Sequence, residues 1–196
     1  MSLKIPEVKF DAETHTYKYR DFAYPSVTTI INDVMGYQYS DMYYANRGTR
    51  IHTAISDIIQ NKIPLAEDDI TEFLASFNKL GNANCKTIAL ETPLINTEHG
   101  YCGAPDYIFE TPEGIVLRDW KSGSAKESHC VQIISYKKMA EICYNIHIAK
   151  TELVYLSSRG YAPRIVSVTN EERYFKLFID MLNIYNFKKG EALWKK

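Results

Sequence analysis

Two acids and a lysine stand out near the middle of the chain because apolar, β-prone residues surround them. Asp106 follows a Gly-Ala-Pro sequence, and Asp119 and Lys121 lie two residues apart in the next β-prone run. Because strand side chains alternate between the faces of a sheet, Asp119 and Lys121 are predicted to share one face, with Trp120 on the other. Buried charges cost free energy unless each has a partner. The pattern therefore favours a site that holds a cation.

The two β-prone runs that carry these acids span residues 101–110 and 114–120, and Thr111-Pro112-Glu113-Gly114 connects them. Proline and glycine in so short a connection are typical of a hairpin turn. Beyond it, residues 127–146 have apolar side chains at helical spacing, which predicts a helix packed on the sheet. Gln132 and Tyr136 are four residues apart in this helix and therefore lie on one face.

The rest of the chain alternates between strand and helix patterns. The further predicted elements are an N-terminal hairpin (8–11 and 15–20), helices at 26–34, 40–61 and 67–80, strands at 86–95, 152–156 and 164–168, and a final helix at 169–188. Ser26 is predicted to cap the first helix and Gly36 to end it, while Thr169 with Glu172 is typical of a capping box. This mixture predicts an α/β or α+β domain.

Length and composition narrow the class of protein. A chain of 196 residues favours one domain, with N-terminal elements to about 82, a core at about 83–168 and a C-terminal helix at about 169–190. The net charge of -1 argues against a protein that coats nucleic acid through bulk positive charge, although a local basic groove fits that total. Without a membrane-spanning run or a signal-peptide layout, we expect a cytoplasmic protein with no membrane partner.

The four cysteines raise a zinc site, an iron–sulfur cluster or two disulfides as possibilities. Cys85, Cys102, Cys130 and Cys143 show no C-x-x-C spacing, which such metal sites usually have. Reduced, structural cysteines are therefore the favoured interpretation. The 15 tyrosines leave several roles open, because tyrosines can pack a core, stack on bases or hydrogen-bond phosphates.

The acids, the lysine and the helix pair together resemble a known family. The motifs Gly103-x-Pro105-Asp106, Asp119-x-Lys121 and Gln132-x-x-x-Tyr136, in this order, resemble the PD-(D/E)xK nuclease superfamily in its RecB-like and lambda-exonuclease-like branch. Further upstream, Arg47-Gly48-Thr49-Arg50-Ile51-His52 looks like the helix that carries the metal-binding histidine of RecB-like nucleases. Glu91 falls where that branch has its first-strand glutamate.

This resemblance covers about residues 52–136, and five motifs in the same order are far more specific than an isolated D-x-K match. The chain departs from the family in two ways. Its third-motif acid, Asp119, is aspartate where glutamate is commoner, which the pattern permits. Its cysteines do not match the spacing of the iron–sulfur members, so no iron–sulfur cluster is expected.

The resemblance implies a restriction-endonuclease-like core, with a central mixed β-sheet flanked by helices. It also implies a magnesium or manganese site, and the residue types suit both ions. Oxygen ligands from Asp106 and Asp119 suit Mg²⁺, and the backbone carbonyl of Trp120 could add another. His52 would shift the preference toward Mn²⁺, because imidazole is a softer ligand than carboxylate. Glu91 could complete a second metal site or hold a metal-bound water.

Basic and hydrogen-bonding residues complete the expected site. Lys121 could activate a water beside the scissile phosphate or, more simply, stabilise its charge. Gln132 and Tyr136 could hydrogen-bond phosphate oxygens or support Lys121. Arg47 and Arg50 are candidate phosphate clamps near His52. Lys137-Lys138 and Lys188-Lys189 are interpreted as solvated helix faces and are assigned no site role.

Each candidate also has an ordinary explanation. A lone histidine such as His52 on a helix with an apolar stripe is more often structural, and Glu91 alone could be an edge-strand charge. Asp106 could begin a turn, and Asp119 with Lys121 could be a surface ion pair. Gln132 and Tyr136 could be solvent and core residues.

The resemblance implies a metal-dependent DNA nuclease that hydrolyses phosphodiester bonds in repair, recombination or phage DNA processing. It favours an exonuclease acting on linear double- or single-stranded DNA. Two alternatives stay open: a catalytically silent DNA-binding or recombination accessory module of the same fold, and a nuclease acting on RNA, since the chemistry at phosphate is the same. Trimers and domains fused to helicases both occur among the relatives, and the sequence does not choose an oligomeric state.

Overall fold

The computed structural model describes residues 7–11, 14, 16–37, 42–65, 67–81 and 85–190. In chain order its strands are β1 (Lys9–Asp11), β2 (Thr16–Tyr19), β3 (Phe22–Tyr24), β4 (Lys86–Leu90), β5 (Leu94–Asn96), β6 (Tyr101–Gly103), β7 (Tyr107–Thr111), β8 (Gly114–Lys121), β9 (Ile148–Tyr155) and β10 (Arg164–Ser167). Its five helices within these ranges are α1 (Val27–Met35), α2 (Met42–Ile59), α3 (Thr71–Asn78), α4 (Glu127–Tyr144) and α5 (Glu171–Lys188). The predicted mixed α/β class is thus confirmed.

A five-stranded mixed sheet with the order β10-β9-β8-β7-β4 forms the centre. Its neighbours pair antiparallel except β8 and β9, which are parallel. Parallel neighbours need a crossover connection, and α4 supplies it. The predicted hairpin is confirmed, because β7 and β8 pair antiparallel and Thr111 lies opposite Gly114.

Helices cover both faces of this sheet, so the strands carry apolar residues on both sides. Side chains of β8 and β9 such as Leu117 and Leu153 pack with α1, α4 and α5. Trp120 and Val154 pack on the opposite face with α2 and α3, where the ring centroids of Trp120 and Phe77 lie 5.3 Å apart. The prediction that Trp120 points away from the face with Asp119 and Lys121 is confirmed.

Two predicted strands are wrong in extent, because each divides into two. The run at 86–95 breaks between β4 and β5 at Glu91, whose backbone adopts a left-handed φ of 46°, and at Pro93. The run at 101–110 breaks between β6 and β7 at Pro105, which has no N–H to donate to a ladder. The short strands β5 and β6 pair with each other instead.

Helix ends follow their local sequence in one case and depart from it in another. The Ser26 side chain accepts a hydrogen bond from the Thr29 N–H, and Gly36 ends α1 with a φ of 67°, as predicted. The predicted capping box of α5 is wrong, because Asn170 occupies the cap position in a left-handed conformation and its side chain makes no capping hydrogen bond.

Other boundaries shift by a few residues. Helix α3 begins at Thr71 rather than 67, β9 begins at Ile148 rather than 152, and β3 was not predicted. The turn residues Ala12 and Glu13 and the predicted helix start at Ser40 lie outside the described residues.

Two chemical properties of the chain bear on its class. No helix within the described ranges has the length and apolar character needed to cross a bilayer. Cys85, Cys102, Cys130 and Cys143 are all free thiols. Cys143 is buried, and its Sγ lies 3.2 Å from the carbonyl oxygen of Ile95.

Candidate functional site

Three of the predicted site residues meet at the breaks in the two divided strands. The His52 Nδ1 atom lies 3.2 Å from Asp106 Oδ1 and 3.6 Å from Glu91 Oε1. The ligand atoms of these three residues all lie within 4.8 Å of one another. Helix α2 delivers His52, and its rotation is fixed because Ile51 and Ile55 are fully buried on its neighbouring face.

Backbone contacts fix the two carboxylates. Asp106 is 5% exposed, and its Oδ2 accepts a hydrogen bond of 2.7 Å from the Trp120 N–H. The Glu91 N–H donates to the Asp106 carbonyl at 3.0 Å, at the point where Glu91 has its left-handed φ. Such a conformation is unfavourable for a non-glycine residue and concentrates at functional sites. It turns Glu91 out of strand β4 beside His52.

The charges of this group influence one another strongly. Burial alone would lower the pKa of His52, but the carboxylates of Asp106 and Glu91 outweigh it and raise that pKa well above its ordinary value. Burial and the nearby Asp106 raise the pKa of Glu91. Burial would also raise the pKa of Asp106, but His52, Lys121 and the Trp120 N–H together lower it. The group therefore favours a positive charge among its oxygen atoms.

Asp119 lies on β8 next to this group but outside its set of three ligand residues. Its carboxylate is fully buried and forms a close ion pair with the Lys121 ammonium through Oδ2. Its Oδ1 has no hydrogen-bond partner among the described residues. Burial, opposed by Lys121 and reinforced by Asp106, raises the pKa of Asp119 to about 6. An unsatisfied buried oxygen of this kind is costly and usually needs a functional explanation.

Lys121 is held from its other side by helix α4. Its Nζ donates to Gln132 Oε1 at 2.9 Å, and Gln132 Nε2 donates to the Tyr136 hydroxyl at 3.2 Å. Burial would lower the pKa of Lys121, but Asp119 and Asp106 outweigh it and raise the pKa. Of the two roles predicted for Lys121, charge stabilisation therefore fits better than proton abstraction.

A glycine makes room for the tyrosine of this chain of hydrogen bonds. A Cβ atom at Gly103 would lie 2.6 Å from the Tyr136 ring. Tyr136 is 5% exposed, so its ring has little freedom to move aside. Gly103 was recognised from the sequence as part of a motif, but this packing role depends on the contact between β6 and α4.

The two candidate phosphate clamps on α2 are engaged elsewhere. Arg50 donates to both carboxylate oxygens of Asp69, at 2.9 and 2.7 Å, and also pairs with Glu67. The guanidinium of Arg47 packs on aromatic rings, 5.1 Å from the centroid of Tyr44. Phosphate contacts by either arginine stay predictions, as does the ligand role of the Trp120 carbonyl.

Lys137 corrects an expectation. It was interpreted as part of a solvated helix face, but it is 3% exposed, and its Nζ donates to Glu171 at 2.6 Å. It ties α4 to α5, because it lies on the face of α4 that meets the final helix. The prediction of a solvated lysine is wrong, because the sequence does not show that α5 packs on this face of α4.

His129 and Tyr155 adjoin Lys121 and were not predicted. Tyr155 lies opposite Lys121 in the β8–β9 register, and its hydroxyl lies 3.2 Å from His129 Nδ1. Burial, with Lys121 and Lys126 nearby, lowers the pKa of His129 to about 3, so this imidazole is neutral at physiological pH. Only the strand register brings Tyr155 here, and no short motif signals a register.

No family model matches this chain, and no curated protein matches its sequence. Its function therefore has to be inferred from the site itself.

The residues present fit a hard or borderline divalent cation. One imidazole and two carboxylates suit Mn²⁺ and Mg²⁺, and the unsatisfied oxygen of Asp119 offers a further donor beside them. The fit requires His52 to be neutral, so a cation and the histidine proton would compete for the same place.

A groove of about 1030 Å³ lies elsewhere, between α4, α5 and the turn after β5. Several of its charged side chains, including Glu141 and Glu171, already pair with lysines. It shares no residue with the acidic group.

Proposed function

We propose that this chain is a metal-dependent DNA nuclease of the PD-(D/E)xK type, and more specifically an exonuclease. The observation that carries the proposal is the meeting of two charge systems at one end of the central sheet. One is the ligand group of His52, Glu91 and Asp106, and the other is the buried pair of Asp119 and Lys121. An isolated acidic group would be weak support for a nuclease. The adjacent Lys121, paired with Asp119, supplies a positive charge that a bound phosphate would contact.

The order of elements supports the same proposal. The succession β7, β8, α4, β9 carries an acid, an acid with a lysine, and then a glutamine with a tyrosine. This order is what the proposed restriction-endonuclease-like core requires. The parallel pairing of β8 with β9 across α4 is consistent with it.

The proposed reaction is hydrolysis of a phosphodiester bond. A bound Mg²⁺ or Mn²⁺ would neutralise phosphate charge and lower the pKa of an attacking water. His52, Glu91 and Asp106 would hold the ion, with Asp119 as a further oxygen donor. Lys121 would stabilise negative charge that develops on the phosphate.

The neighbours of Lys121 are positioning residues. Gln132 accepts from Lys121 and donates to Tyr136, so the ammonium has a fixed direction while Asp119 stays paired with it. Such a fixed cation costs no reorganisation during the reaction, which is how preorganised charges accelerate it. Asp106 is oriented in the same way by the Trp120 N–H.

The proposal is tested by incubating the purified protein with linear DNA, circular DNA and RNA in Mg²⁺, Mn²⁺ or chelator. We expect metal-dependent cleavage of linear DNA that Asp119→Asn and Lys121→Ala strongly reduce, while the variant Glu113→Gln, which changes an exposed acid in the β7–β8 turn, cleaves normally. Cleavage of circular DNA would contradict an exonuclease, and cleavage of RNA alone would contradict a DNA substrate.

The same reagents distinguish a silent module from an enzyme. Calorimetric titration of Mn²⁺ into the native chain should show binding that His52→Ala weakens. DNA binding without cleavage, without metal binding and unaffected by chelator would overturn the nuclease proposal in favour of an accessory role.

A further inference from the structure

Helix α2 connects the metal-ligand group to an exposed aromatic surface. Tyr44, Gly48 and His52 recur every four residues and so lie along one face of the helix. At 1.5 Å per residue, the Cα atoms of Tyr44 and His52 are about 12 Å apart along the axis. The side chain of Tyr44 is 59% exposed.

Arg47 supports this ring from the side. Its guanidinium carbon lies 5.1 Å from the Tyr44 ring centroid and 5.1 Å from that of Phe73. Its Nε is buried and has no hydrogen-bond partner among the described residues. Cation–π contacts with these rings and a hydrogen bond with Tyr43 hold the guanidinium as a flat, charged support beside the exposed ring.

Tyr43 anchors the same surface to the body of the protein. Its ring meets Tyr44 edge to face at 5.4 Å, and its hydroxyl donates to Asp69 at 2.9 Å. Arg50 in turn holds Asp69. Arg50 therefore offsets part of the negative charge of Asp69, which it shares with Glu67.

Gly48 keeps α2 free of a side chain between Tyr44 and His52. Among the described residues outside the helix, a Cβ atom at Gly48 would have one neighbour within 4 Å, the Ser122 Oγ at 3.9 Å. Ser122 directly follows Lys121, so α2 meets the end of β8 at this glycine. A strand bound at the site could therefore run past Gly48 toward Tyr44 without meeting a large side chain from α2.

We propose that Tyr44 and Arg47 form a stacking subsite for an unpaired nucleobase, so that the substrate is a DNA end with a single-stranded segment. This inference rests on the proposed nuclease function. An exposed ring backed by a cation suits a base and its phosphate, because every base has a face that stacks on aromatic rings. The 12 Å separation matches about three to four stacked nucleotides at 3.4 Å each.

The subsite is tested by fluorescence anisotropy with a labelled single-stranded oligonucleotide in chelator, where no cleavage occurs. Loss of one stacked base should weaken binding by about 5- to 100-fold in Tyr44→Ala. Tyr44→Phe keeps the ring and should bind like the native chain, as should Phe187→Ala, which removes a ring that is 86% exposed on α5. Tyr44→Ala should weaken the binding of a blunt duplex less than it weakens the binding of the single strand.

Several outcomes would overturn the subsite. Native affinity in Tyr44→Ala would do so, as would equal weakening in Tyr44→Phe, which would point to the hydroxyl instead of stacking. A change of oligomeric state in Tyr44→Ala would show that the surface binds another protein chain. No single-strand binding by the native protein would also reject it.

Cleavage assays separate this inference from the proposed function. If the native protein cleaves single-stranded DNA and Tyr44→Ala cleaves it equally well at limiting substrate, the nuclease proposal stands and the subsite fails. If no metal supports cleavage, the nuclease proposal fails. The subsite then survives as a DNA-binding surface only if Tyr44→Ala weakens binding in chelator while Phe187→Ala does not.

Discussion

Two buried acids on neighbouring strands, Asp119 on β8 and Glu152 on β9, differ completely in how their charge is compensated. Glu152 on β9 receives the Arg118 Nε at 2.6 Å on one oxygen and the Lys150 Nζ at 2.6 Å on the other. Asp119, the next residue after Arg118, has an ion pair with Lys121 on one oxygen and no hydrogen-bond partner for the other among the described residues.

The pKa values of the two acids express this difference. Burial would raise the pKa of Glu152, but Lys150 and Arg118 outweigh it and lower the pKa below the usual 4.5. Burial raises the pKa of Asp119 to about 6 even though Lys121 opposes the shift. On strand β8, Arg118 completes the satisfied ion pair of Glu152 on the α2–α3 face of the sheet. The next residue, Asp119, is an under-compensated acid on the α4 face.

This difference separates a structural charge from one held ready for another partner. A buried ion pair with every oxygen satisfied needs no ligand to explain it. An acid with an unsatisfied oxygen, next to a histidine and two further acids, fits the proposed cation site. We therefore expect that replacing Asp119 by its amide lowers cleavage and leaves stability nearly unchanged. Replacing Glu152 by its amide should lower stability and leave cleavage unchanged.

The largest expected effect is on cleavage by Asp119→Asn. The amide keeps the shape of the carboxylate but removes its charge, so we expect cleavage to fall by about 100- to 1000-fold. Unfolding free energy should stay within about 1 kcal/mol of native, because the lost pair with Lys121 is offset by removing an unsatisfied charge. Initial cleavage rates and urea unfolding measure both. A large loss of stability would make Asp119 a structural residue like Glu152.

Glu152→Gln is the matched variant and should behave in the opposite way. It removes the buried negative charge with which both Arg118 and Lys150 pair, and we expect about 2 kcal/mol lower unfolding free energy. Cleavage at a temperature where the variant is folded should match native. Denaturant unfolding monitored through the buried Trp120 measures the loss. Native-like stability would mean that the two acids do not differ as the comparison requires.

The sequence predicts Asp119 and Lys121 as site residues, but it does not predict that Asp119 and Glu152 differ in how their charge is compensated. Asp119 and Lys121 are two residues apart in a strand, and alternation alone places them on one face, as observed. Each acid has a lysine two residues away on its own strand, so nothing local distinguishes them. The second partner of Glu152, Arg118, depends on the parallel register of β8 and β9. Such long-range pairing is not written in a short window of sequence.

Local backbone chemistry explains why the ends of α1 were predicted correctly and why two strands were predicted too long. Ser26 and Gly36 end α1 as predicted, because caps act on their own turn. The strand predictions at 86–95 and 101–110 overlooked the turns at Glu91 and Pro105, although a proline within a run is a warning. These breaks are where Glu91 and Asp106 meet His52, so the least predictable backbone forms the candidate site.

A smaller effect is expected from Gly103→Ala, which probes the support of Lys121. The new Cβ would lie 2.6 Å from the Tyr136 ring and force it away from Gln132. We expect about 1 to 2 kcal/mol lower stability and slower cleavage, because overpacking strains a buried contact. Urea unfolding measures the stability cost of Gly103→Ala in the native chain and in a Tyr136→Ala background, and cleavage rates are measured for Gly103→Ala alone. A smaller cost in the absence of the Tyr136 ring would confirm the contact, and an equal cost in both backgrounds would refute it.

The smallest effect is in the pH dependence of the satisfied pair. Because the pKa of Glu152 is lowered in the folded protein, its contribution to stability is complete above its unfolded value near 4.5 and is lost as pH falls through the folded pKa. The stability gap between native and Glu152→Gln should therefore be constant from pH 8 to about 5 and shrink below about 4.5. Urea unfolding of both chains across this range, in chelator, measures the gap. A gap that grows on acidification would mean that Glu152 is stabilised in its protonated form, and the contrast with Asp119 would then disappear.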